Sequence, residues 1–520
     1  MKSRLLQISL LLLFPLCMMA QGEEFSILKG DCMPEVAASG GDSRPSRRAL
    51  VPITEWDATK TYKQMVVLLS FADNDFTIEN PKEYYEKLFN ESDFHERQGV
   101  GCVADYFRDQ SGGLCHLQFD IYGPVKVSEK AQPYETPTKS TKNYGQASVR
   151  EALLKIIDAN PSLDYTQYDW NQDGTMEQVV FVCAGISGNS ETTYGYLWPA
   201  TTSFSTVTTP DNIKISKYSA STELFPTTGK TTKCGIGTIC HEFSHCLGLP
   251  DIYPVPARNE MPSIVDEWDL MDGGNFTNWG WCPPNYSPLE KMLMGWLTPV
   301  ELTEPASITE MKPVSEGGEV YMVRHTDTEY LLLENRQWVG WDKGTPGKGL
   351  VIYHVNYDQS VWENNRVNNY TSEENCRYRI IHADNMDYNQ WVAYVKASNL
   401  SSYAETERMH RRHLSTSPYP LESNTELTDQ STPAAKMQTK NTAGESMLSK
   451  PITNIKMSDD GLISFDFMGG TTGINDLRIL DENGESCIYD LSGKRVYIPF
   501  PGRMYIIKKN GVTKKYVMTP

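Results

Sequence analysis

The sequence predicts an α+β protein: an alternating α/β region, a histidine-bearing helix, and β-rich regions after it. Three observations carry this. Apolar strand-type runs alternate with amphipathic helical patterns through residues 58–300, strand-type patterns dominate residues 301–468, and short strands separated by glycine turns fill residues 474–520. With 39% hydrophobic and 22% charged residues the composition is that of ordinary globular protein. A net charge of -18 argues against nucleic acid or an anionic membrane surface as partner, since both need clustered Lys and Arg.

The chain opens with Lys2 and Arg4, followed by an apolar run from Leu5 to Leu16 and by Ala20-Gln21-Gly22. That is the anatomy of a signal peptide over residues 1–20, with an apolar core too short to span a bilayer. Cys17 follows Phe14-Pro15-Leu16 and lacks the small residue that precedes a lipoprotein cysteine, so cleavage near Ala20 is favoured. The expectation is a secreted or cell-surface protein without a transmembrane segment. Residues 21–57 mix Gly, Ser, Pro and charges and expose Arg44-Pro45-Ser46-Arg47-Arg48, as a propeptide or leader would. Within it lies Cys32. A propeptide thiolate is a soft donor that fills an open zinc position and keeps an enzyme latent, although a lone cysteine in such a segment is also commonly an incidental thiol.

In the alternating region the run Lys63 to Asp73 reads as a buried strand. Asn80 to Phe89 and Gly101 to Gln110 read as helices with aromatic faces, Leu114 to Tyr122 as a strand, and Gln146 to Ala159 as an amphipathic helix through Val149, Ala152, Leu153 and Ile156. The loop Asp169 to Glu177 places Asp169, Asn171, Asp173 and Thr175 at alternate positions with Gly174 sixth, like the first half of an EF-hand loop. A calcium ion suits these oxygens. Position twelve is Val180, so Glu177 or another segment must close the shell; a polar turn before the strand Gln178 to Ala184 is the plain alternative. Tyr194 to Pro199 and Lys214 to Ser219 read as further strands, with an edge suited to pairing with an extended peptide.

The helix that follows contains His241-Glu242-x-x-His245. Residues four apart share a helix face, so both imidazoles reach one metal ion with Glu242 beside them. A catalytic zinc site needs a third protein ligand and leaves its fourth position to water, and Asp251 is the candidate once Gly248 breaks the helix. By chance alone HExxH arises in roughly one such chain in a hundred, so the added Gly248 and Asp251 carry much of the specificity. Further on, Trp268-Asp269-Leu270-Met271-Asp272-Gly273-Gly274 supplies a turn whose Met271 side chain would form an apolar floor beneath the metal, without being a ligand. Ser287-Pro288-Leu289-Glu290 opens a helix running to Trp296. Cys240 and Cys246 read as small buried hydrophobes.

Together, the His241 to Asp251 pattern, the Met271 turn, the helix from Ser287, the strand at Val66 to Asp73 and the Asp169 to Glu177 loop resemble the immune inhibitor A family of secreted metallopeptidases, within the metzincin group. The resemblance continues through Tyr330 to Arg336, Pro346 to His354 and Pro451 to Ile455. It implies a catalytic domain over residues 58–300, with an α/β upper subdomain, the active-site helix and a Met-turn lower subdomain. It also implies that Asp251 stands where most metzincins have a third histidine, and that calcium accompanies zinc.

Residues 301–468 form a β-rich accessory region with strands near Val320 to Met322, Tyr330 to Leu333, Leu350 to Val355, Arg379 to His382 and Leu462 to Phe467. His410-Arg411-Arg412-His413 reads as a solvated loop more readily than a metal site. Residues 474–520 offer strands at Cys487 to Asp490, Lys494 to Ile498, Met504 to Lys508 and Lys514 to Met518, and resemble the sorting domains of type nine secretion substrates, which implies export machinery as a partner.

The function expected is that of a zinc endopeptidase acting on proteins or peptides, with Glu242 as general base and then acid. Two rivals are a non-catalytic binding or adhesion protein that keeps the fold, and a zinc hydrolase of other substrates. The intact Glu242 beside two ligands argues against the first.

Overall fold

A computed structural model describes residues 51–131, 145–186, 197–227, 230–255, 263–370, 372–397, 411–422, 424–470, 486–489, 503–509 and 512–518. Cys32, the residues 1–20 and the predicted strand Lys494 to Ile498 lie outside them. The chain divides into two compact units: Met1–Ser287 with Trp338–Thr345 and Glu363–Arg366, and the remainder.

The first unit is built on a mixed sheet. Its strands are β1 (Thr61–Ser70), β2 (His116–Lys126), β3 (Val179–Ile186), β4 (Ala200–Thr208), β5 (Lys214–Thr227) and β6 (Lys230–Lys233), and between them run α1 (Pro81–Asn90), α2 (Val103–Gln110) and α3 (Gln146–Ala159). The sheet order is β2-β1-β3-β5-β4, with β6 paired to β5. β1 is parallel to β2 and β3, β3 is parallel to β5, and β4 runs antiparallel at the edge, with Thr201 opposite Ser219. From Met65 to Leu69 every side chain of β1 is fully buried, which fits a strand covered on both faces. Met65, Val67 and Leu69 share a core with Val149, Leu153 and Ile156 of α3. Of the predicted strand Tyr194 to Pro199, Tyr194, Gly195 and Tyr196 lie outside the described residues; β4 begins at Ala200, where antiparallel pairing with β5 starts.

Helix α4 (Gly237–Cys246) follows, every residue of it buried. Its Phe243 ring lies 4.9 Å from Phe107 of α2 and 5.8 Å from Phe119 of β2, so an aromatic cluster holds one face of α4 against the upper layer.

The second unit begins with α5 (Pro288–Leu293), which ends short of the predicted Trp296 where Gly295 takes a positive φ of 70°. Strands β7 (Val300–Glu301), β8 (Ala306–Met311), β9 (Tyr321–Arg324), β10 (Glu329–Arg336) and β11 (Gly349–Asn356) come next. Then follow α6 (Gln359–Glu363), β12 (Tyr378–Ile380), α7 (Tyr388–Ala397), β13 (Ile452–Met457) and β14 (Ile463–Phe467). They make a five-stranded sheet, β12-β11-β10-β9-β7, and a three-stranded sheet, β13-β14-β8, around a core that includes Leu331, Leu333, Ile352 and Phe465. Helix α7 was not foreseen, and it corrects the reading of His413: that ring is buried, stacked on Trp391 of α7 at 5.9 Å and 3.6 Å from Asp384. At the end of the chain β15 (Ser486–Tyr489), β16 (Arg503–Lys509) and β17 (Val512–Met518) form an antiparallel sheet.

Among the described residues no helix is long and apolar enough to cross a membrane. Cys102, Cys115, Cys183, Cys234, Cys240, Cys246, Cys282 and Cys376 are free thiols.

Candidate metal centre

Helical geometry puts His241 and His245 one turn apart on α4, with ring centroids 4.9 Å from each other. Each ring is then aimed by a main-chain carbonyl. His241 Nδ1 meets the oxygen of Leu270 and His245 Nδ1 meets that of Leu249, both at 2.8 Å. A carbonyl only accepts, so each Nδ1 carries the proton and each Nε2 presents a lone pair.

The third donor arrives by a helix stop. After Cys246 the chain closes α4 with Leu249 N–H donating to Ser244 O at 3.1 Å, and Gly248 sits at φ 100°, a conformation that favours glycine. The turn brings Asp251 Oδ1 to 3.3 Å from His241 Nε2 and 3.1 Å from His245 Nε2. These three donor atoms lie within 4.8 Å of one another. All three side chains are buried. Two lone-pair nitrogens and a carboxylate oxygen repel one another unless a cation stands among them, and N, N, O is a zinc-type donor set. The residues fit the metal. Burial opposes a charge on His241, yet Asp251 and Glu242 outweigh it and raise its pKa, so the surroundings favour positive charge.

Glu242 is buried beside these donors, and Thr201 of the edge strand β4 reaches it: the Thr201 hydroxyl lies 2.6 Å from Glu242 O and 2.9 Å from its Oε2. Met271 is fully buried. Its carbonyl accepts from Ile252 N–H at 2.9 Å, so the Met271 turn is pinned to the residue after Asp251, while the neighbouring Leu270 carbonyl orients His241. Tyr253 lies parallel to the His241 ring, 6.4 Å away.

Two contacts escaped the sequence reading. Thr201 is one polar residue in a Thr- and Ser-rich strand, without a distinguishing pattern. Asn365 donates from Nδ2 to Asp251 Oδ2 and accepts from Asp251 N–H, both at 2.6 Å. The paired Asn364-Asn365 was a signal of a left-handed turn, which Asn365 makes at φ 56°.

The Asp169 to Glu177 loop folds on itself. Asp169 accepts from Asp173 N–H and Gly174 N–H, Asn171 from Asp173 N–H, Asp173 from Thr175 N–H, and Glu177 from Trp170 N–H. Burial, together with the charges of Asp169 and Asp173, pushes Glu177 up to about 7. Among the described residues, the His241, His245 and Asp251 group alone draws three His, Cys, Asp or Glu donors within 4.8 Å. Cys240 and Cys246 are buried, and burial drives the Cys240 thiol well above its ordinary pKa, as expected of an inert thiol.

At the N-terminal side, residues 51–53, placed in the leader on sequence grounds, touch the end of α4. Ile53 N–H donates to Leu247 O at 2.9 Å.

A helix with HExxH, a carboxylate returned by a glycine turn and a buried methionine turn hydrogen-bonded to the residue after that carboxylate define a metallopeptidase-type centre. Residues 184–293, which hold all of these, match the family described as immune inhibitor A peptidase M6, catalytic domain. Among individual proteins, the chain is similar to immune inhibitor A of Bacillus thuringiensis subsp. alesti, 25% identical over 239 residues, covering 40% of this chain and 34% of that protein. It is also similar to the pre-pro-metalloprotease PrtV of Vibrio cholerae serotype O1, 22% identical over 247 residues, covering 43% of this chain and 26% of that protein. The chain therefore spans about a third or less of the curated relatives it matches.

Proposed function

We propose that this protein is a zinc-dependent endopeptidase that hydrolyses peptide bonds in proteins. The observation that carries the reading is the convergence of His241 Nε2, His245 Nε2 and Asp251 Oδ1 within 4.8 Å, with Glu242 next to His241 on the same helix. Zinc held by these three residues would supply Lewis acidity, polarising a scissile carbonyl and lowering the pKa of water towards about 7. Glu242 takes a proton from the attacking water as the new C–O bond forms. It then delivers that proton to the amide nitrogen as the C–N bond breaks, so no covalent enzyme intermediate arises. Leu270 and Leu249 hold the histidine tautomers, Thr201 holds Glu242, and Met271 forms the apolar floor.

Further parts of the proposal rest on sequence. Asp169, Asn171, Asp173, Thr175 and Glu177 hold a structural calcium ion, supported by their spacing and by the raised pKa of Glu177, which a cation would relieve. Cys32 confers latency before the leader is removed. The relative PrtV is named as a pre-pro-metalloprotease. The charged, then apolar pattern of Lys2 to Leu16 supports export of this protein, with residues 474–520 engaging export machinery.

The test is casein cleavage by protein trimmed near Arg48, with and without a chelator, alongside elemental analysis. Cleavage should stop with the chelator and return with zinc, and Asp251→Ala should lose its zinc. Cleavage indifferent to chelation, or full zinc retention in Asp251→Ala, would overturn the reading.

A further inference from the structure

We propose that Asn365 is a positioning residue for the metal centre, fixing the Asp251 carboxylate so that one oxygen alone serves the metal; this rests on the zinc reading above. Residue 365 lies well beyond the matched segment 184–293, yet Glu363–Arg366 cluster with the first unit. The metal centre is therefore completed by chain outside that segment.

The geometry is a two-point clasp. Asn365 Nδ2 donates to Asp251 Oδ2 at 2.6 Å, and Asp251 N–H donates to Asn365 Oδ1 at 2.6 Å. The amide orientation is settled by its partners, because a carboxylate oxygen only accepts and a main-chain N–H only donates. With Oδ2 held, the carboxylate cannot rotate about its last bond, and Oδ1 stays directed at His241 Nε2 and His245 Nε2. An amide suits this position chemically. A lysine or arginine would neutralise the carboxylate that the cation needs, and a second carboxylate would repel it. Asn365 also sits at φ 56° and is only 6% exposed, so it combines a left-handed backbone that asparagine tolerates with a dry environment in which the two bonds hold.

Two variants separate side chain from backbone. Asn365→Gly removes the clasp while keeping a residue that adopts positive φ freely. Asn365→Asp keeps the shape and the acceptor for Asp251 N–H but replaces the donor with a charge that opposes Oδ2. The experiment measures zinc affinity of the full chain by competition with a chromophoric chelator, together with the visible spectrum of the cobalt-substituted protein and near-ultraviolet circular dichroism. Both variants should stay folded, bind zinc about 10- to 100-fold more weakly, and show an altered cobalt spectrum. Affinity within about twofold of the unsubstituted protein with an unchanged cobalt spectrum would overturn the proposal and leave the zinc reading standing. Loss of the native dichroism in both variants would also overturn it, because Asn365 would then be an element of the fold. If the unsubstituted protein binds no stoichiometric zinc, or binds it equally well after Asp251→Ala, the zinc reading itself fails and this proposal with it.

Discussion

The side-chain hydroxyl of Thr201 lies 2.6 Å from the main-chain oxygen of Glu242 and 2.9 Å from its Oε2. One hydroxyl carries a single proton and can also accept, so it holds Glu242 whether the carboxylate is charged or has just taken a proton. Thr201→Val should lower kcat about 10- to 100-fold with KM and zinc content little changed, and Thr201→Ser should restore most of it. Steady-state kinetics on a peptide substrate check this. A valine variant with unaltered kcat would remove Thr201 from the account.

Gly248 faces a steric limit as well as a conformational one. A Cβ at this position would stand 2.2 Å from the oxygen of Val51, and the backbone is already at φ 100°. Neither the strain nor the clash can be relieved by a side-chain rotation. Gly248→Ala should therefore cost about 2–4 kcal/mol and lower the thermal midpoint, with zinc binding weakened because Asp251 follows the same turn. A variant as stable as the parent would show that the segment at residues 51–53 yields easily.

In the second unit, acid should act through Glu329 and His354, whose Oε1 and Nε2 lie 2.7 Å apart. Burial alone would raise Glu329, but hydrogen bonds from His354, Thr439 and Gln438 outweigh it and hold the carboxyl at about 2, below its ordinary 4.5. Burial likewise keeps His354 below its ordinary 6.5. A depressed carboxylate stabilises the fold above about pH 4.5 and loses that contribution as pH falls through about 2. A depressed histidine loses stability as pH drops below 6.5, since the unfolded chain then binds the extra proton. The contribution of this pair to stability in denaturant should thus fall below pH 6.5 through His354 and again between about 4.5 and 2 through Glu329. Glu329→Gln should be weaker by about 3 kcal/mol at neutral pH and flatter in acid. Equal stability of the two proteins at neutral pH would contradict this.

What could be read from the sequence was what is local. The α3 pattern of Val149, Ala152, Leu153 and Ile156 gave the helix its bounds at Gln146 and Ala159, as found. His241, Glu242, His245 and Asp251 were legible because one helix turn and one glycine stop bring them together. Asn365 and Thr201 were not, because they reach the site from distant chain and carry no period or spacing that ties them to it. His413 misled for a related reason: its charged neighbours Arg411 and Arg412 look solvated, while the ring itself is covered by Trp391 of α7, which reaches it from some twenty residues upstream. The two-unit division was hidden as well, since Trp338–Thr345 and Glu363–Arg366 return to the first unit by tertiary contact alone.

The central claim is that Glu242 moves the proton while His241, His245 and Asp251 hold the metal. Its most direct test is the rate of casein cleavage by Glu242→Gln, measured at the same zinc content as the unsubstituted protein. About one zinc per chain in both, with a rate reduced at least about a hundredfold in the variant, is the predicted result. An undiminished rate at equal zinc would contradict it.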